Sequence, residues 1–307
     1  MKTKKKSKAT TLRTGRIALV GRPNVGKSTL LNALIGERIS IVSHHPQTTR
    51  DELLGIHTTE SAQFLFLDTP GIFEGKHSLA SYMLGSVSGA MDSADVVVFV
   101  TDAGERVGAI EKDKKLLLAL PTDKPCILAI NKIDKTKAKS ALFPLLQKYA
   151  ELRPFEAIVP ISARREDGLE PLLAEMEKLL PESVPEFDRD ELTDKPARFF
   201  AKEFIREQIL RNTEKEVPHG VAVVVESFED EPKITKLRVT VHVDKESHKR
   251  IVIGKGGQLL KRIGTEARKR LEEMLAKQVH LELWVRVSPK WYESTGGLFN
   301  VGYGSPQ

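Results

Sequence analysis

Lys27 and Ser28, set behind Gly21-Arg22-Pro23-Asn24-Val25-Gly26, have the types and spacing to hold a polyphosphate and a magnesium ion. Glycines let the backbone approach closely, and the loop amides and the N-terminus of the following helix aim at the phosphates. Lys27 is expected at the β- and γ-phosphates, Ser28 on Mg²⁺, and Thr29 beside them in the same turn. A second group, Asp68-Thr69-Pro70-Gly71, supplies a carboxylate to reach the metal through water and a Gly71 amide to meet the γ-phosphate. The phosphate loop does not separate GTP from ATP, but Asn131-Lys132-Ile133-Asp134 does. A carboxylate at 134 can accept from guanine's ring N–H and its exocyclic amine, a pair adenine lacks. Sites built on such bonds reject the wrong partner by about 10⁴-fold. Lys132 is expected along the base, and Ser162-Ala163 is expected to offer a backbone amide to the guanine carbonyl.

Between the first two groups lies the polar stretch His44-His45-Pro46-Gln47-Thr48-Thr49-Arg50-Asp51. One threonine there should close over Mg²⁺, and Thr49 is the choice. The metal set is then Ser28, Thr49 and Asp68, and the catalytic set Lys27, Asn24, Thr49 and Gly71. His44 and His45 have no further ligand at suitable spacing and read as loop surface.

These groups need a scaffold that brings loop ends together. Short β-branched runs at 17–20, 64–67, 96–100, 127–130 and 158–161 read as buried strands. Helical stretches at 27–34, 79–91, 109–120, 139–149 and 169–180 alternate with them, giving an α/β fold with a mostly parallel sheet and helices on both faces. Each chemical group follows a strand end, where ligands of such folds bind. The chain divides into a basic tail (1–14), a GTPase-type domain (15–181), a linker (182–197), an α+β domain (198–288) and a tail (289–307).

The last domain reads helix (197–211), strand (221–228), strand (234–243), glycine-rich turn, helix (259–276), strand (280–287). Its turn, Ile253-Gly254-Lys255-Gly256-Gly257, follows an apolar run and precedes an amphipathic helix bearing Lys261 and Arg262. Small residues admit a sugar–phosphate backbone and the helix N-terminus favours anions. This is the arrangement of a KH type 2 module, which grips about four nucleotides.

Composition agrees with this division. Net charge is +6 over 307 residues. Residues 1–16 contribute +7 and 198–307 contribute +5, leaving −6 for the nucleotide half. Basic ends around an acidic centre suit a polyanionic partner. The single cysteine, Cys126, excludes an intrachain disulfide and reads as a buried strand residue. No apolar stretch approaches the roughly 20 residues of a membrane span, and the N-terminus lacks the pattern of a secretory signal.

The motifs GRPNVGKS, QTTR, DTPG, NKID, SA and VIGKGG together resemble the Era family of bacterial ribosome-assembly GTPases over residues 15–290. The resemblance implies GTP hydrolysis with Mg²⁺ and binding of the 3′ end of 16S ribosomal RNA in the 30S subunit. It also implies a cytoplasmic monomer with peripheral contact to the inner membrane. Ile72 stands where many GTPases carry a water-positioning glutamine, so slow intrinsic turnover is expected. Asn24 matches relatives in which this residue helps hold K⁺. Gly296-Gly297 fall where the family runs a helix, and the lysines of residues 1–8 match nothing assignable. The rival readings are an RNA chaperone with a non-hydrolysing nucleotide site and a P-loop kinase or ATPase.

Overall fold

The structure, a computed structural model, describes residues 12–72, 75, 77–104, 107–136 and 142–304. The lysine-rich start of the N-terminal tail lies outside them. Among the described residues the chain packs as two compact units. The first holds residues 12–40, 52–72 and 87–194, the second 41–51, 77–86 and 195–304.

The first unit is built on β1 (Leu12–Val20), α1 (Lys27–Ile35), β2 (Leu53–Thr58) and β3 (Ala62–Asp68). After α2 (Ser78–Ser93) come β4 (Val96–Asp102), α3 (Val107–Ala119), β5 (Cys126–Asn131), α4 (Phe143–Leu152), β6 (Ala157–Pro160), α5 (Leu169–Leu179) and β7 (Glu182–Ser183). The sheet order is β2-β3-β1-β4-β5-β6, with β7 on the start of β1. All pairs are parallel except β2 with β3 and β7 with β1. β3, β5 and nearly all of β4 are buried, as expected of strands covered on both faces. Register sets Leu19 opposite Asp68 and Asp102 opposite Asn131, so chemical residues from separate motifs emerge at one edge of the sheet.

Several features differ from the sequence reading. β2 has no counterpart there; as an antiparallel strand beside β3 it breaks the β-α alternation that guides such a reading. β1 starts at Leu12, because Arg13 pairs with Ala62 and its guanidinium donates to the Leu180 carbonyl (2.9 Å). The stretch after residue 181 is not a free connector. Glu182–Ser183 adds to β1, Arg16 pairs with Glu186, and the Leu192 carbonyl accepts from Ile56 N–H (2.8 Å). The helix expected at 139–149 begins among residues not described, and α4 runs further than expected, to Leu152.

The second unit contains α6 (Ala197–Asn212), β8 (Val221–Asp230), β9 (Ile234–Val243), α7 (Glu246–Ile253), α8 (Gln258–Leu275), β10 (Gln278–Val287) and α9 (Thr295–Asn300). Its sheet has the order β10-β9-β8, with β10 parallel and β8 antiparallel to β9. Ile263, Ala267 and Leu271 of α8, the apolar face of the amphipathic helix, are buried, as are Phe204, Ile205 and Ile209 of α6. α7 escapes the sequence reading because its apolar residues Ile251, Val252 and Ile253 are consecutive and look strand-like.

The tail forms α9 in spite of its glycine pair. Gly297 is needed there: a Cβ at this position would lie 2.4 Å from the Trp291 carbonyl oxygen. Its N–H donates to Ser294 Oγ, the helix cap (3.1 Å). Leu298, Val301 and Tyr303 then bury against Trp291, Ala222, Leu79 and Met83.

Candidate nucleotide and RNA sites

The phosphate loop is shaped by positions that side chains would obstruct. Gly26 caps α1 at φ 103°, and a Cβ there would meet Asn131 Nδ2 at 2.4 Å. Lys27 is 6% exposed, and its Nζ points back into the loop, donating to the carbonyls of Gly21 (3.1 Å) and Arg22 (3.2 Å). Burial pushes its ammonium down to about 8, against the attraction of Asp68. The Arg22 side chain has a buried partner on α3. Its guanidinium grips Asp113 (2.6 Å), a fully buried carboxylate that also accepts from Thr101 (2.7 Å) and Tyr149 (2.6 Å). Asp113 escapes the sequence reading because nothing in α3 marks one acid among its charged neighbours.

Asp68 is fully buried at the end of β3, and burial raises its carboxyl above the ordinary value despite Lys27 nearby. Its Oδ2 accepts from Ser28 Oγ (2.7 Å) and Ser40 Oγ (2.9 Å). Among the described residues its Oδ1 is buried with no hydrogen-bond partner. A carboxylate oxygen left this way beside a serine hydroxyl at a helix N-terminus fits a hydrated Mg²⁺. Ser28 and Asp68 would hold the ion, and it would draw charge from the phosphates. Thr69 Oγ1 is tied to the Leu19 carbonyl (2.7 Å), and Pro70 is buried behind it. Gly71 packs so closely on Pro23 that a Cβ would lie 2.7 Å from the proline backbone, and Ile72 N–H donates to the Gly21 carbonyl (3.2 Å). Thr49 belongs to the 41–51 segment of the second unit.

Asn131, 2% exposed, joins the loops. Its Nδ2 donates to the Val25 carbonyl (2.9 Å), and its Oδ1 accepts from Lys132 N–H (2.7 Å) and Ala163 N–H (3.0 Å). Lys132 sits at φ 65°; its ammonium contacts the Asn24 carbonyl (2.6 Å) and Asp102 (2.6 Å). Asp134 follows Ile133 in a short 3₁₀ turn and accepts from Ser162 Oγ (2.6 Å), which holds its carboxyl below the ordinary value. The amides of Ser162 and Ala163 both have acceptors within the chain, Asp167 O (2.9 Å) and Asn131 Oδ1. Asn131 thus lies between the loops.

In the second unit, α7 and α8 meet at Gly254-Lys255-Gly256-Gly257. Gly254 has φ 73° and ψ 173°, a conformation essentially restricted to glycine, and a Cβ there would lie 2.7 Å from Leu259 Cβ. Nothing lies within 4 Å of a Cβ built on Gly256 or Gly257, so this backbone faces open space. Lys255, Lys261 and Arg262 are exposed around it, and Ile253 is half-buried. The turn thus presents accessible backbone, a helix N-terminus and cations together, as anion binding requires.

Comparison with known proteins matches both units. A family profile described as a 50S ribosome-binding GTPase matches residues 16–132, and a KH domain profile matches 216–292. A curated GTPase Era from Geotalea uraniireducens (strain Rf4) is 45% identical over 292 residues, which is 95% of this chain and 98% of the relative.

The chain belongs to the Era family.

Among solved structures, Era in complex with MgGDPNP and nucleotides 1506–1542 of 16S ribosomal RNA superposes with TM-score 0.90. The identity is 39%, over 96% of this chain and 100% of that one. A point variant of Aquifex aeolicus Era bound to GDP·AlF4⁻ gives the same score and identity. This Era-family chain is accordingly a GTPase that works on GTP and GDP with Mg²⁺. Among the described residues no helix is long and apolar enough to cross a membrane.

Proposed function

We propose that this Era-family GTPase grips the 3′ end of 16S ribosomal RNA through its KH unit and acts in 30S subunit assembly, with GTP binding favouring the RNA-bound state. The observation that carries this reading is the likeness, over 96% of the chain, to an Era structure holding MgGDPNP and that RNA segment. The exposed Gly254–Gly257 backbone and its cations supply the chemistry for the strand.

In the nucleotide unit, Asp134 reads the guanine edge and Asn131 and Lys132 hold the loop that carries it. Lys27 meets the β- and γ-phosphates, Gly71 the γ-phosphate, and Thr49 joins Ser28 and Asp68 at the metal. Hydrolysis adds water to the γ-phosphorus and breaks its bond to the β-bridging oxygen, leaving GDP and phosphate. With Ile72 in place of a glutamine, turnover is slow; K⁺ beside Asn24 offsets part of the phosphate charge. The protein works as a cytoplasmic monomer with peripheral contact to the inner membrane face.

Co-sedimentation tests the reading. With a non-hydrolysable GTP analogue the chain should travel with 30S subunits and be released with GDP. Association with 50S subunits alone would contradict it.

A further inference from the structure

Ser40 belongs to no motif, yet it is 4% exposed and its hydroxyl donates to Asp68 Oδ2 (2.9 Å). Its backbone is held from both sides by one amide on α1. Asn32 Nδ2 donates to the Ser40 carbonyl (2.8 Å), and Asn32 Oδ1 accepts from Ser40 N–H (2.8 Å). α1 also carries Ser28, whose hydroxyl meets the same carboxylate oxygen. Asp68 is thus held at one oxygen by two hydroxyls referenced to one helix. Its other oxygen is buried and, among the described residues, has no hydrogen-bond partner.

We propose that Ser40, clamped by Asn32, is a positioning residue for the magnesium site: it fixes the Asp68 carboxylate so that the second oxygen is presented to the hydrated ion. The physical case is one of counting donors. A carboxylate has about four lone-pair sites, and its rotation about χ2 is soft. One donor leaves that rotation open, whereas two donors on one oxygen close it. Hydrogen bonds to a charged acceptor are also stronger than neutral ones, so the second donor carries weight. Residues that orient a metal's carboxylate commonly change metal affinity by about 10- to 100-fold when removed.

The experiment uses the full chain loaded with a fluorescent GDP, chased with unlabelled GDP over a series of buffered free Mg²⁺ concentrations. Ser40→Ala should raise the Mg²⁺ concentration that half-protects the nucleotide about tenfold, while release at saturating Mg²⁺ stays within about twofold. Asn32→Ala, which frees the Ser40 backbone and keeps its hydroxyl, should shift the midpoint the same way by about threefold; it carries the test if Ser40→Ala does not fold. The double variant should match Ser40→Ala alone. An unchanged midpoint in the folded variants overturns the proposal, as does faster release by one factor at every Mg²⁺ concentration, since that reports a loosened pocket.

Discussion

Asn131 Nδ2 donates to the Val25 carbonyl across 2.9 Å, so the loop that reads the base is bolted to the loop that holds the phosphates. With Oδ1 taken by the amides of Lys132 and Ala163, this side chain is occupied in holding three loops together. Asn131→Ala should therefore weaken GDP binding about 30- to 100-fold, as loss of two to three buried hydrogen bonds implies, while the preference for guanine over adenine persists. Asp134→Asn should instead change base choice, because an amide cannot accept both guanine donors. Titration of each variant with GDP and ADP distinguishes a structural bolt from a base reader.

Arg50 is 1% exposed inside the second unit. Its Nη1 donates to the Val221 carbonyl (2.6 Å), and Nη2 donates to those of Pro218 (3.1 Å) and His219 (3.2 Å). Its guanidinium also lies near the faces of Trp291 and Tyr303. Arg50→Ala would leave these carbonyls unsatisfied and should cost on the order of 3 kcal/mol in chemical denaturation of the full chain. Arg50→Lys should recover little of this, since an ammonium cannot span the fork of acceptors.

His242 on β9 is 6% exposed, and its ring bonds Ser288 Oγ through Nδ1 (2.9 Å). Burial, with Arg286 nearby, lowers its proton affinity in the folded chain below the ordinary imidazole value of 6.5. A folded-state value below the unfolded one gives stability that is present above about pH 6.5 and lost as pH falls through the folded value. Thermal unfolding of the full chain should thus show a decline from about pH 7.5 to about 5.5. His242→Asn should flatten that decline relative to the parent; an equal slope in both would exclude this histidine as a source.

Much of this could be read in the sequence, for identifiable reasons. The parallel strands are buried on both faces and announce themselves as β-branched runs, and the chemical residues stand at their ends. β2 escapes because its pairing with β3 is a matter of tertiary register. α7 escapes because consecutive isoleucine and valine carry no helical period. At the site, Lys27, Ser28, Asp68 and Asp134 are legible from spacing, but Asp113 and Ser40 are not. Each gains its place from a partner far along the chain: Arg22 is 91 residues from Asp113, and Asp68 is 28 from Ser40. Gly297 is a glycine inside a helix that the packing of Trp291 requires.

Binding of a labelled RNA matching the 3′ end of 16S ribosomal RNA, measured by anisotropy with a GTP analogue and again with GDP, tests the central claim most directly. Affinity should be at least about tenfold higher with the analogue, a coupling within the usual range between two sites. Gly256→Asp, which sets a carboxylate and a disfavoured φ of 58° in the open turn, should abolish binding while nucleotide affinity is kept. Equal affinity in the two nucleotide states, or full binding by Gly256→Asp, would contradict the account.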